Sequence, residues 1–336
     1  MKVDIKLWSE VPESQLEDLF LNNPFSLYRG TPLADDMMKK YMFILAKENA
    51  EINKEGAIVA IINGKPIVTA QVYEVPYLSK FWNIPIGVLG HFVTDGPNDE
   101  NTYLAASMLV RELLAKAKKN NFSFMSTNIP GPNIMLIRAV EAQSFRYAEG
   151  FLNMVGPTNR FRDSVKVPGM KIRGLVEEDF LEIADAYARV SFPSRFATDG
   201  GFDPKKASQL YMKRFREVYE QQLGKVFVAE LEERFAGAII AIIDEKMSRT
   251  IGVRSNILSG MGIIIHPRAS RRGVSTALVE YRQEYYKSEG VEYVNFGANF
   301  NNRPMILGLE KLGLRYGSLD MTFHLWLKEG RCAAPT

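Results

Sequence analysis

What most limits the folds open to this 336-residue chain is that its two halves repeat one another. Val3–Lys6 and Met170–Arg173 mix apolar with charged residues, and each leads into an acidic amphipathic stretch, Leu16–Leu21 and Glu177–Ala188. Ala57–Tyr73 then matches Lys225–Ile243. Both read as strand, tight turn and strand, and Asn63-Gly64 is a strong hairpin signal. Each half continues with an apolar strand (Gly87–Thr94, Ser259–Pro267), a loop, and one long helix with its body at Tyr103–Lys119 or Thr276–Ser288. In the second of these helices Val274, Leu278, Tyr281 and Tyr285 fall on one face, and Gly290 stands where a C-terminal cap is expected. A further strand follows (Phe122–Asn128, Tyr293–Asn299), then a short helix (Asn133–Phe145, Asn302–Leu314), the short helices lying 169 residues apart. The hairpins align at nearly the same offset, which predicts an internal duplication. One domain spans 1–156, a polar, proline-bounded linker spans 157–169, and a second domain spans 170–330.

Composition narrows the class. Hydrophobic residues make up 46% and charged residues 24%, ordinary for a globular protein, and the length supports two domains with a core each. A net charge of +3 without a basic stripe argues against a nucleic-acid partner. The single Cys332 permits no internal disulfide and no Cys-x-x-Cys knuckle, so a reducing cytoplasm is the expected compartment. The first residues offer no apolar signal segment. The longest apolar run, Phe235–Ile243, is about half the ~20 residues of a membrane span and reads as a buried strand, so no membrane partner is expected.

Gly260–Tyr286 carries the most chemistry. A buried strand ends at His266-Pro267, an arginine-rich turn follows, and a helix begins near Gly273. The first backbone N–H groups of a helix have no intrahelical acceptor and the dipole adds positive charge, so the junction suits a diphosphate. Gly273 allows close backbone approach, Ser275 and Thr276 add hydroxyl donors, and Arg268, Arg271 and Arg272 add charge.

Here the sequence resembles the GNAT superfamily of acyl-CoA-dependent N-acyltransferases. That signature is a strand often ending in His-Pro, a loop Arg/Gln-x-x-Gly-x-Gly/Ala, and a long helix. The loop here reads Ser270-Arg271-Arg272-Gly273-Val274-Ser275: the central glycine matches, while Ser270 and Ser275 depart from the pattern. A second signature, Asn-x-x-Ala-x-x-x-Tyr with a Gly-Phe-like pair, falls on Asn302, Met305, Leu309, Gly313 and Leu314. In the N-terminal half it falls on Asn133, Leu136, Val140, Ser144 and Phe145. The loop of that half, Asp95–Tyr103, lacks the glycine motif and is acidic, a poor cradle for a diphosphate. The resemblance implies an α/β (α+β) fold of two tandem GNAT-like domains, each a mixed, mostly antiparallel sheet flanked by helices, with the first domain degenerate. It implies acetyl-CoA as co-substrate of the second domain, its diphosphate on Arg271, Arg272, Gly273, Val274, Ser275 and Thr276. The pantetheine arm would lie as an extra strand beside Ile263–Ile265, with Asn302 nearby. The N–H of Ile263 or Ile265 would be the catalytic donor to the thioester carbonyl.

Amine acetylation requires a base and then a proton for the departing thiolate. The family often carries a tyrosine where this chain has Leu309, so no acid is assigned. Tyr316 is near in sequence, and a thiol with a pKa of about 8.5 leaves tolerably with only water to help. His266, His91 and His324 read as structural. By alternation His324 shares a strand face with Thr322 and Trp326, opposite Met321, Phe323 and Leu325. The acceptor region is expected in the connections between the first two helices, Ser191–Pro204 and Asn22–Leu33, whose aromatic character with few charges suits an amino sugar or amino acid derivative. The leading expectation is a cytoplasmic N-acetyltransferase, monomer or homodimer, acting on a primary amine of a small molecule. A Fem-like aminoacyl transferase is one alternative, against which the glycine loop argues. A non-catalytic acyl-CoA-binding protein is the other, favoured by the missing tyrosine.

Overall fold

The computed structural model describes residues 2–25, 33, 35–96, 98–160, 166–190, 194–256 and 262–328. Cys332, residues 26–32 and 191–193 of the two helix connections, and 257–261 ahead of the glycine turn lie outside them. The first half runs β1 (Val3–Leu7), α1 (Glu13–Leu21), α2 (Asp35–Ile52), β2 (Ala57–Ile62), β3 (Lys65–Glu74), α3 (Pro76–Trp82) and β4 (Ile86–Thr94). It continues with α4 (Glu100–Lys119), β5 (Phe124–Pro130), α5 (Ile134–Glu141) and β6 (Arg146–Pro157). The second half runs β7 (Met170–Gly174), α6 (Asp179–Arg189), α7 (Arg195–Thr198), α8 (Pro204–Glu220), β8 (Lys225–Leu231), β9 (Arg234–Ala241) and α9 (Glu245–Ile251). It ends with β10 (Ile263–Ile265), α10 (Val274–Ser288), β11 (Tyr293–Asn299), α11 (Arg303–Lys311) and β12 (Arg315–Trp326).

The duplication is visible element by element. β5 and β11, α5 and α11, and β6 and β12 each start 169 residues apart, as do α3 and α9, which periodicity had not marked. The hairpin turns correspond too: Asn63-Gly64 and Glu232-Glu233 all take positive φ, the mirror-turn geometry that suits strand twist, although the second pair has no glycine.

Both central strands are buried on two faces, which explains their unbroken apolar runs. In β2, Ile58, Ala60 and Ile62 face a core shared with α4, while Ala57, Val59 and Ile61 face one shared with α1 and α2. In β8, Phe227, Ala229 and Leu231 face α10, and Val226 and Val228 face α6 and α8. A sheet with helices on both sides is therefore built twice.

The last strand of each half does not stay with its own half. The compact units are residues to Phe151 with those from Gly317 on, and Leu152–Tyr316. In the first unit the strand order is β1-β2-β3-β4-β5-β12 and then β6; β1 to β4 and the pair β5–β12 are antiparallel, and β4 with β5 is parallel. In the second, β10-β9-β8-β7 is antiparallel throughout, and the far end of β6 lies beside β11. The predicted boundary at 157–169 marks the duplication, whereas the compact units divide inside β6 and inside β12. The reason is physical: two strands with the same pattern offer equivalent edges, and pairing follows edge complementarity rather than chain order. His324 consequently belongs to the first unit. It sits in β12, on the face it shares with Thr322 and Trp326, with its ring edge-on to Phe124 at 4.8 Å.

Candidate active site

β10 is an edge strand: among the described residues it pairs with β9 alone. Ile240 N–H donates to Gly262 O at 2.8 Å and His266 N–H to Ala236 O at 3.0 Å, so the even-numbered residues of this strand bond to β9. Antiparallel alternation then turns the N–H and C=O groups of Ile263 and Ile265 to the open edge. Just upstream, Ser255 forms a parallel bridge with Tyr293 of β11. Among the described residues β10 and β11 do not pair, so the edge of β10 away from β9 has no strand partner.

Beyond β10 the chain turns into α10. Gly273 is the N-cap residue, in the left-handed region at φ 82°, and brings no side chain to the helix start. The N–H groups of Val274, Ser275 and Thr276 thus open toward the turn without intrahelical acceptors. The arginines differ in their commitments. Arg268 donates to Phe235 O through Nε at 3.0 Å and Nη2 at 2.7 Å, and pairs with Glu182 at 2.9 Å. Arg272 pairs with Glu232 at 2.5 Å on the surface and holds that carboxyl below its ordinary range. Arg271 makes no hydrogen bond or ion pair among the described residues, which leaves its charge to the turn.

A family comparison fits this geometry. Residues 192–314 match the sequence model of the acetyltransferase (GNAT) family. The match spans less than half of the chain, and no curated protein matches the chain in sequence. Its fold resembles a GCN5-related N-acetyltransferase from Sphaerobacter thermophilus (TM-score 0.59, 13% identity), covering 98% of this chain and 96% of that one. A glucosamine N-acetyltransferase region of a fungal multi-domain β-N-acetylglucosaminidase aligns at TM-score 0.57 and 12% identity, over 96% of this chain and 38% of that one. A tandem GNAT protein from the clavulanic acid biosynthesis pathway aligns over the whole of both chains at TM-score 0.53 and 10% identity.

Other residues around this turn have structural duties. Asn302 is the N-cap of α11, its side chain accepting from Met305 N–H at 3.4 Å, and it is exposed. The nitrogens of His266 are both engaged. Nδ1 accepts from Arg268 N–H at 3.2 Å, so Nε2 carries the proton shared with Asp185 at 3.1 Å. Asp185 is held down to about 2, first by the hydrogen bond from Arg189 and then by His266. Leu309 is buried in the core, and Tyr316 is 58% exposed. A cavity of about 750 Å³ opens between α6, α7 and α8, lined by Tyr187, Ser194, Thr198, Lys205, Gln209 and Tyr211 among others. Ser194, Ala197, Thr198 and Pro204 on its wall come from the connection in which the acceptor region was expected.

The predicted face of α10 needs correction. Val274 and Leu278 are buried, but Tyr281 is 42% exposed, and, beside the equally buried Gln283, the helix turns Arg282 and Tyr286 inward. They sit four residues apart, so they share a face one step around the helix from the predicted one. An arginine among Ala277, Leu278, Val279 and Tyr286 was the available signal, and helical periodicity alone assigns it to solvent.

Proposed function

We propose that the second unit transfers an acetyl group from acetyl-CoA to a primary amine of a small polar acceptor, and that the first unit takes no CoA. The bare helix start at Gly273 beside Arg271 carries this reading. Bound there, acetyl-CoA supplies an activated thioester. The N–H groups of Val274, Ser275 and Thr276, with the two hydroxyls and Arg271, hold its diphosphate, and Arg272 stands at the rim. The pantetheine arm adds to the open edge of β10, and Ile263 or Ile265 N–H donates to the thioester carbonyl as negative charge develops there. Asn302, already occupied as a helix cap, borders this mouth.

The cavity between α6, α7 and α8 is our acceptor site. One wall is α6, whose Asp185 is tied to His266 at the end of β10. Its volume suits an amino sugar or amino acid derivative. The fungal neighbour named for glucosamine acetylation supports the sugar option as analogy only. No side chain is assigned as base; water positioned by backbone groups serves that role.

Calorimetry with acetyl-CoA tests the reading. The wild-type chain should bind one molecule per chain, and Gly273→Glu should weaken binding roughly 100-fold or more. That variant combines a side chain at φ 82° with a carboxylate facing the diphosphate. Absence of wild-type binding would sink the proposal, and a stoichiometry of two would refute the assignment of the first unit.

A further inference from the structure

The cavity between α6, α7 and α8 has two helical walls, α6 and α8, that are described throughout. Much of its lining is apolar: Ala184 and Ala188 from α6, Met212 from α8, and Pro204 at the start of that helix. Two rings stand among them. Tyr187 and Tyr211 lie 21° from parallel with centres 6.4 Å apart, and Tyr187 meets Phe215 edge-on at 6.2 Å. These are arrangements that aromatic rings favour, and a further ring can join them.

The polar groups of the lining are few and mostly committed. Ser194 Oγ accepts from Ala197 N–H at 3.2 Å, Thr198 Oγ1 donates to Ser194 O at 3.1 Å, and Ser208 Oγ donates to Lys205 O at 2.8 Å. Each hydroxyl thus serves its own helical turn. Lys205 and Gln209 are exposed at the rim, and neither side chain has a hydrogen bond or ion pair among the described residues. Of the described residues that line the cavity, Lys205 alone is charged. A sugar ring carries a hydroxyl on nearly every carbon, and each one buried without a partner is unfavourable. A cationic group entering the cavity finds no carboxylate in this lining and meets a lysine at the rim.

We propose that the cavity takes the aromatic ring of the acceptor, which is a monoamine of the aromatic amino acid type. Its ring packs on Tyr187 and Tyr211, and its amine lies outside the apolar part, towards β10. Tyr187 belongs to the same buried cluster as Ile264, the middle residue of that strand, so the cavity wall and the strand pack into one core. The proposal rests on the acyl-transfer reading of the second unit and narrows its acceptor. Between an amino sugar and an amino acid derivative the lining favours the second, with an aromatic side chain. In the transfer the neutral amine nitrogen bonds to the thioester carbonyl carbon and the carbon–sulfur bond breaks with its electron pair on sulfur. The proton lost by nitrogen passes through water to that sulfur, leaving an amide and free CoA.

The test follows thiol release by the full chain with acetyl-CoA and subsaturating amine, which reads kcat/KM. Tyramine and tryptamine are compared with glucosamine and putrescine. The aromatic amines should be roughly 10- to 100-fold better than either. Ala188→Trp, at an exposed position of α6, fills the cavity and should cut the aromatic rates at least about 10-fold. Its acetyl-CoA affinity, read by calorimetry, should stay within about threefold of wild type, the sign that the chain is folded. The wild-type comparison needs no variant and stands by itself. Aromatic amines no better than glucosamine or putrescine, an inert panel included, overturn the proposal, as does an aromatic preference that survives Ala188→Trp. Failure of acetyl-CoA itself to bind would instead strike the acyl-transfer reading.

Discussion

The two halves place a long helix after the same strand and treat its N-terminus in opposite ways. In the first half Asp99 caps α4, its carboxylate accepting from Thr102 N–H at 2.8 Å, and Asn98 fastens the loop to Pro132 O and Met135 N–H. Buried Asn133 reaches Thr94 at 3.3 Å, and Asp95 pairs with Lys65. Carboxylates and amides of the chain thus take the places an anionic ligand would need. In the second half Gly273 offers no side chain, and Asn302, the counterpart of Asn133, stands exposed. The duplication keeps its offset of 169 on both sides of this turn, but the helix starts differ. α4 begins at Glu100, whose counterpart is Ala269, but α10 begins at Val274, five residues later. Surface turns tolerate sequence change because little packs on them, so one fold can keep two matching cores and only one candidate cradle.

If that contrast is right, the cores should be equal where the turns are not. Leu109 and Leu278 occupy corresponding positions and are both fully buried. Changing either to Ala should cost about 3 kcal/mol in chemical denaturation, with similar values for the two. A marked inequality would mean that the halves differ in packing as well as in their turns.

Acid should reach the first unit through His91. It takes a positive φ of 53° in β4, and burial lowers its pKa to about 4 from the ordinary 6.5. The folded state thus keeps the ring neutral while the unfolded chain binds a proton below pH 6.5. Stability should be full above that pH, fall between 6.5 and 4, and level off below, a loss of roughly 3 kcal/mol. His91→Gln should flatten this part of the stability–pH curve, and an unchanged curve would remove His91 as the cause.

The smallest effects separate the arginines of the second turn. Arg271→Ala should raise the dissociation constant for acetyl-CoA about 10-fold and leave stability within about 0.5 kcal/mol. Arg268→Ala should do the reverse, costing about 1 kcal/mol through the lost bonds to Phe235 O with little change in affinity. Equal effects on binding would show that the turn works by general charge rather than by one free side chain.

Local pattern determined much of this molecule. Alternation and the Asn63-Gly64 turn mark the hairpins, and Tyr293–Asn299 is bounded in the structure as its sequence predicts. The glycine turn was readable because Gly273 and three arginines follow an apolar strand. The odd-numbered pair, Ile263 and Ile265, was already the expected donor pair, though which way their N–H groups face depends on pairing with β9. Tertiary structure decided the rest. A strand's period says which residues share a face but not which edge the strand will join, so β12 and β6 could exchange partners without any mark in their sequences. Arg282 became an inward-facing cation for the same reason, whereas the cap role of Asn302 is local, its side chain accepting from Met305 N–H three residues on. The role of Arg282 depends on Ile240 and Phe296, more than ten residues away and brought close by folding, and no local spacing encodes such a contact.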